Sequence, residues 1–222
     1  MVTWYAMIRG VIFDLDGVLV KTDELHYASW KQVTEAEGIP FDRSVNERLR
    51  GISRLDSVRI ILERARRQYS EAEQAALAER KQAIFRSLLE RLTAADLLPG
   101  AVELVVALRA RGLRTAVGSS SKNTSFILDK LGLRCYFDVV VDGNDIVRSK
   151  PDPEVFLLAA ARLGLAPQEC VVVEDAVAGV EAARRAGMAV FGIGSPETLP
   201  GVTPVAPDLA HVTVSDLLRA GQ

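Results

Sequence analysis

The sequence predicts an α/β protein: a doubly wound parallel-sheet core of Rossmann-like type with a helical cap inserted after its first strand. Three observations carry that prediction. From about residue 97 onward, short apolar runs alternate with stretches of helical spacing, the pattern of a parallel sheet covered on both faces. The helical stretches are closed by Gly112, Gly132, Gly164 and Gly187, as helix ends favour. Between about 22 and 95 the alternation stops, and helical patterns run on without a convincing strand. The expected organisation is a catalytic core of 1–21 and 96–222 and a helical cap of 22–95.

Taken in order, Val11, Ile12 and Phe13 form a short buried strand that delivers Asp14 and Asp16 to its C-terminal edge, where Gly17 lets the chain turn away. In an open α/β sheet that edge is where ligands bind. The cap must leave the sheet beside these two acids and return near them, so it covers them. Within it, Ser53 with Asp56 and Ser70 with Glu73 have the spacing of capping boxes, each before a helical run. In the core, the pattern predicts a helix over 101–111 with Leu104, Val105 and Leu108 on one face, then a strand over 115–118. A helix over 122–131, a strand over 138–141 and a helix over 153–163 follow. Next come a strand over 170–173 ending in Glu174 and Asp175, a helix over 177–186 and a strand over 189–193. The proline-rich stretch 200–207 reads as a surface connection before a last short strand and helix.

The composition excludes several classes of function. The chain has 222 residues, 49% hydrophobic and 25% charged, which is ordinary globular composition with room for a sizeable core. A formal net charge of -2 points to no polyanionic partner, so nucleic acid is not expected. No window approaches the roughly 18 uninterrupted apolar residues of a membrane span. The first five residues lack the basic and apolar regions of a leader, so the expected protein is soluble and cytoplasmic. Cys135 and Cys170 form no metal or redox motif, and both read as buried thiols.

At the strand ends the residue types point to phosphate and metal chemistry. Asp14 and Asp16 can supply a nucleophile, a metal ligand or a general acid/base, or simply an acidic strand end before a turn. Ser119, Ser120 and Ser121 either bind an anion together with helix amides or cap the helix that follows. Lys150, a loop lysine, is of interest because of its company, and Glu174 with Asp175 ends a strand of valines. Four acids gathered at one edge would repel one another without a cation. Oxygen donors without histidine or cysteine suit magnesium rather than zinc. In the cap, His26 and Trp30 share a helix face, either as a packed pair or facing the cleft. Lys81 falls within the apolar stripe of Leu77, Ile84, Phe85, Leu88 and Leu92, either snorkelling to solvent or aimed into the cleft. Arg50, Gly51, Ser53 and Arg54 form a turn whose two guanidinium groups could bind phosphate.

The run Asp14-Leu15-Asp16-Gly17, the strand-end Ser119, the loop Lys150-Pro151 and the pair Glu174-Asp175, in that order, resemble the four motifs of the haloacid dehalogenase superfamily of phosphoryl-transfer enzymes. Residues 22–30 with His26, the run Gly51-Ile52-Ser53-Arg54, Lys81, and 119–123 are similar to its β-phosphoglucomutase group. Lys21 departs from that group's pattern, which carries an acid there.

The resemblance implies that Asp14 is a nucleophile forming an aspartyl phosphate and Asp16 the general acid/base for a sugar hydroxyl. It implies a magnesium ion held by Asp14, the Asp16 backbone carbonyl, Glu174 and Asp175, with Ser119 and Lys150 balancing the transferring phosphoryl group. Substrate would be held by Trp30, Gly51, Arg54, Ser57, Lys81, Ser121, Lys122 and Asn123, while His26 would couple cap closure to Asp16. The implied reaction interconverts β-glucose 1-phosphate and glucose 6-phosphate through a 1,6-bisphosphate. A magnesium-dependent sugar-phosphate phosphatase is the alternative, and a non-catalytic sugar-phosphate binder a third reading. The expected partner is a small sugar phosphate, and the expected state a monomer.

Overall fold

Six strands lie side by side in the computed structural model, which describes residues 7–220. They are β1 (Gly10–Phe13), β2 (Arg114–Gly118), β3 (Val139–Val141), β4 (Cys170–Glu174), β5 (Ala189–Ile193) and β6 (Val205–Ala206). Every pairing is parallel, in the order β3-β2-β1-β4-β5-β6. The doubly wound α/β sheet expected from the alternating pattern is therefore present. Residues 1–6 and 221–222, which include the stretch read above as lacking a leader and the outer ends of the expected core, lie outside the described residues.

Side chains alternate across the sheet. Val11 and Phe13 join one apolar cluster with Val117, Val171 and Phe191, whereas Ile12, Ala116 and Val172 join another. The chain between β1 and β2 forms α1 (Asp23–Glu37), α2 (Arg43–Glu47), α3 (Arg54–Leu62) and α4 (Glu71–Leu89). Ser53 and Ser70 accept amide hydrogen bonds at the starts of α3 and α4, caps worth about 1 kcal/mol each. These helices have an apolar cluster of their own, with Trp30, Val33, Val58, Ile61 and Leu77 buried together. The far end of α4 instead places Phe85 and Leu89 in the cluster under the sheet, so this helix joins the insert to the core.

The two chain crossings into the insert run side by side. Val20 and Leu97 pair antiparallel, with Lys21 N donating to Asp96 O at 2.8 Å and Leu98 N to Leu19 O at 3.0 Å. The insert thus leaves and returns through one narrow connection next to Asp14 and Asp16.

The first sheet face is covered by α5 (Ala101–Ala110) and α6 (Thr124–Lys130), the second by α7 (Glu154–Leu163) and α8 (Val177–Arg185). The last helix, α9 (Val214–Arg219), returns Val214 and Leu217 to the first face. Three expectations need correction. The helix expected over 122–131 begins at Thr124, because Lys122 and Asn123 belong to the turn that carries the serines. The stretch 200–207 is not only a connection: Val205 and Ala206 within it add β6 to the sheet edge, where Pro204 needs no ladder donor. Cys135 is exposed in a single tight turn, Arg134–Tyr136, and only Cys170 is a buried thiol, pushed up to about 12 by burial. Among the described residues no helix is long and apolar enough to cross a membrane.

Candidate active site

The strand order reverses beside β1: β2 and β3 lie to one side of it and β4 to the other, the place where such sheets bind ligands. Phe13 stands opposite Val173, so Asp14 and Glu174 leave the sheet side by side, and Asp14 N donates to Val173 O at 3.0 Å. Glu174 Oε2 accepts from the backbone amides of Asp175 and Ala176, both at 2.8 Å. Its other oxygen lies under α8, in space that exists because residue 179 is glycine; a Cβ there would sit 1.7 Å from Glu174 Oε1. Lys150, fully buried, donates from Nζ to Asp14 Oδ1 and to Glu174 Oε1, both at 2.6 Å.

One carboxylate oxygen each from Asp14, Glu174 and Asp175 come within 4.8 Å of one another. Burial pushes the Asp14 carboxyl up to about 7; Lys150 opposes this, while the charges of Glu174 and Asp16 add to it. Asp175 is held well above the usual carboxylate range by burial and by Glu174, against the pull of Arg50. Burial also works against the Lys150 ammonium, but Asp14 and Glu174 outweigh it and keep its pKa above that of an ordinary lysine. Three buried carboxylates that converge on one point are a donor set that fits a hard divalent cation, so this cluster could hold a metal ion.

This predicts how metal-free protein responds to pH. Because Asp14 has a higher pKa folded than unfolded, the folded state binds the extra proton between about pH 4 and pH 7, and stability falls as pH rises through that window. Magnesium should therefore raise the melting temperature more at about pH 7.5 than at about pH 5, where the proton competes for Asp14. Equal shifts at the two pH values in thermal unfolding would count against the cluster as the binding place.

Asp16 faces a different environment. The Thr22 hydroxyl donates to Asp16 Oδ1, and His26 Nε2 lies 3.6 Å from the same oxygen. Lys81 Nζ is 3.0 Å from His26 Nδ1. With Lys81 as donor the imidazole proton sits on Nε2, facing Asp16. That buried Nε2 has no hydrogen-bond partner. Burial pushes Asp16 upward, yet His26, Thr22 and Lys81 together bring it below the ordinary range. His26 is lowered by burial and by Lys81, and Lys81 is brought down to about 7 by burial with help from Arg54. Lys81 is thus buried and not snorkelling, with its ammonium 3.8 Å from the centre of the Phe85 ring.

The remaining expected residues line one cleft of about 1090 Å³ between insert and core, with Glu174 beneath its floor. Ser119 is buried and accepts from Ser121 N at 3.1 Å; Ser121 in turn accepts from Asn123 N at 3.2 Å, so these hydroxyls hold their own loop. Lys122 also lines the cleft. Asn123 accepts from Gln82 Nε2 of α4 at 2.6 Å and donates to Gln82 Oε1 at 3.1 Å, a partner that sequence reasoning missed. Arg54 turns toward Glu79 at 3.2 Å, Ser57 donates to Ser53 O at 2.9 Å, and Trp30 is buried in the cluster of the insert while still touching the cleft. Gly51 takes φ 75 and packs against Ala176 of the core. Arg50 does not offer a free guanidinium for phosphate: it is hydrogen-bonded to Asp175. Thr22 was also missed as a partner of Asp16. Its only sequence signal was its place just before α1, where a cap residue is expected, yet its side chain makes no capping bond.

Residues 8–187 match the family model of haloacid dehalogenase-like hydrolases. The chain is 40% identical to a β-phosphoglucomutase of Bacillus subtilis, over 93% of this chain and 92% of that one. It is 36% identical to a fructose-1-phosphate phosphatase of Escherichia coli, over 83% of this chain and 95% of that one. A crystal structure of a β-phosphoglucomutase from Clostridium difficile superposes with a TM-score of 0.91 at 35% identity, covering 97% of each chain.

Proposed function

This chain belongs to the haloacid dehalogenase-like hydrolase family, and on that premise we propose that it is a mutase interconverting β-glucose 1-phosphate and glucose 6-phosphate through an aspartyl phosphate and a 1,6-bisphosphate. The observation that carries this reading is the separation of Asp14 from Asp16. One is bound to Lys150 within an acid cluster, and the other to Thr22 beside His26. Two carboxylates kept in unlike surroundings can divide the roles of nucleophile and proton carrier.

In this reading Asp14 carries the phosphoryl group, and the 6-hydroxyl of β-glucose 1-phosphate gives its proton to the Asp16 carboxylate as it attacks that phosphorus, which forms the 1,6-bisphosphate and frees Asp14. After the bisphosphate turns over in the site, an Asp14 oxygen attacks the phosphorus on the 1-oxygen, and that oxygen takes the proton back from Asp16 as glucose 6-phosphate leaves and the phosphoaspartate re-forms. Ser119 and Lys150 face the transferring phosphoryl group. Asp14, the Asp16 backbone carbonyl, Glu174 and Asp175 would hold a magnesium ion, which when bound offsets phosphoryl charge. Residues 22–95 act as a cap over a core of 1–21 and 96–222. Arg54, Lys81, Ser121, Lys122 and Asn123 hold the phosphate that does not react, with Trp30, Gly51 and Ser57 shaping the sugar pocket. His26, whose Nε2 lacks a partner 3.6 Å from Asp16, aligns that residue as the cap closes. The buried Lys81, set in the insert and reaching this pair, supports the mutase, because hydrolysis needs no clamp on a second phosphate.

A phosphatase is the second reading, favoured by the 36% identity to the Escherichia coli fructose-1-phosphate phosphatase. The two are separated by product. With magnesium and a trace of glucose 1,6-bisphosphate, β-glucose 1-phosphate should be converted to glucose 6-phosphate without accumulating inorganic phosphate. Stoichiometric phosphate release without isomerisation would reject the mutase and establish the phosphatase.

A further inference from the structure

We propose that Arg50 is a latch displaced by the metal, so that cation binding in the acid cluster loosens the α2–α3 edge of the insert. Arg50 lies in the turn between α2 and α3, yet its guanidinium reaches the core. Nη2 is hydrogen-bonded to Asp175 Oδ2 and lies 3.5 Å from Asp23 Oδ2, while Nη1 is 3.4 Å from Glu47 Oε2. Asp23 and Glu47 belong to the insert and Asp175 to the core, so the contact to Asp175 is the one that ties the two parts together. The Asp175 side chain is only 6% exposed and that of Arg50 26%, so the pair is shielded in a way that a surface ion pair is not.

The contact also fills space left by a missing side chain. A Cβ on Gly17 would lie 1.9 Å from Asp175 Oδ2 and 3.3 Å from Arg50 Nη2. Asp175 Oδ2 is thereby engaged by a permanent cation, while Asp175 is also one of the three acids that converge within 4.8 Å.

Charge balance gives the direction of the coupling. A divalent ion drawn to Asp14, Glu174 and Asp175 competes with the guanidinium for the Asp175 carboxylate, and Asp23 and Glu47 remain beside Arg50 to hold its charge once it is displaced. The guanidinium has somewhere to go. Arg50 lines both the main cleft and a side cleft of about 460 Å³ that is bounded by Glu47 and Glu181. The insert keeps other ties to the core, Ser149 to Asp56 in the first turn of α3 at 3.1 Å and the Gln82–Asn123 pair from α4. The loosening is therefore greatest in α2 and the turn that carries Arg50. Because coupling is reciprocal, a guanidinium on Asp175 weakens cation binding as much as the cation weakens the latch.

Manganese binding to the full chain, followed by electron paramagnetic resonance, tests this together with amide hydrogen exchange across 43–62. Arg50→Gln should bind Mn2+ about tenfold more tightly than the unsubstituted protein, with Arg50→Lys in between. Exchange across 43–62 should rise on adding Mn2+ to the unsubstituted protein, and in Arg50→Gln should already be fast and indifferent to the ion. Equal or weaker binding by Arg50→Gln, or exchange unmoved by Mn2+ in the unsubstituted protein, overturns the latch. If Arg50→Gln does not fold, Arg50→Lys decides on the same readouts, tighter binding supporting the latch and unchanged binding overturning it. The inference rests on the acid cluster taking a divalent cation. Absence of Mn2+ binding by the unsubstituted protein defeats that reading, whereas binding that ignores Arg50→Gln defeats the latch alone.

Discussion

Asp14→Asn is expected to leave a folded protein whose turnover is reduced by at least about 10⁴-fold. A carboxamide has the size of a carboxylate but no charged oxygen to attack phosphorus. The fold has little reason to suffer. Lys150 Nζ can still donate to the side-chain oxygen at position 14, as it now does at 2.6 Å. The substitution also removes one negative charge from a buried cluster in which Asp14 is already pushed up to about 7. Metal-free Asp14→Asn should therefore unfold at the same temperature as the parent or higher at about pH 8, where the parent must ionise Asp14. Two measurements check this: the rate of product formation, and intact mass after incubation with a phosphoryl donor, which should show phosphoenzyme in the parent and none in the variant. Turnover within tenfold of the parent would remove Asp14 from the covalent step.

Which parts of this site could be read from the sequence follows from how each residue is held. Asp14, Ser119, Glu174 and Asp175 sit at or just beyond strand ends, and an apolar run of three or four residues marks a strand end without any knowledge of its neighbours, whereas Lys150, in the loop before α7, was legible only through the company of the others and the motif it resembles. The same reasoning places the insert, since helical spacing without strands between 22 and 95 leaves it nowhere to go but over the edge from which it emerges. Contacts between side chains of distant segments carry no such pattern. Arg50 is the clearest case: a loop arginine beside glycine reads as a phosphate binder, and only the approach of α8 to the turn after α2 shows that it meets Asp175. Gln82 has no signal of its own, because its role depends on Asn123 facing it across the cleft. β6 was hidden for a different reason. Two residues between prolines are too few for alternation to register, and their pairing with β5 comes from the neighbouring strand edge.

Lys150→Met should be the most destabilising single change in the site, by about 3–5 kcal/mol at about pH 8, or about 10 °C in melting temperature for a domain of this size. The ammonium is fully buried and is bonded at 2.6 Å to both Asp14 and Glu174. Methionine fills much of the same volume, so the loss comes from the two buried carboxylates it leaves without their counter-charge, and much less from a cavity. That origin fixes the pH dependence. Protonation of Asp14 discharges one of the two acids, so the deficit should shrink as pH falls from about 8 toward about 5 and widen in the other direction. Magnesium should restore part of the loss at the higher pH, because a divalent ion supplies the missing positive charge to the same oxygens. Thermal unfolding at both pH values, with and without the ion, separates this from packing. The Lys150 ammonium also lies 4.7 Å from the centre of the Phe156 ring. If that contact were what mattered, the deficit would be the same at both pH values and magnesium would not repair it.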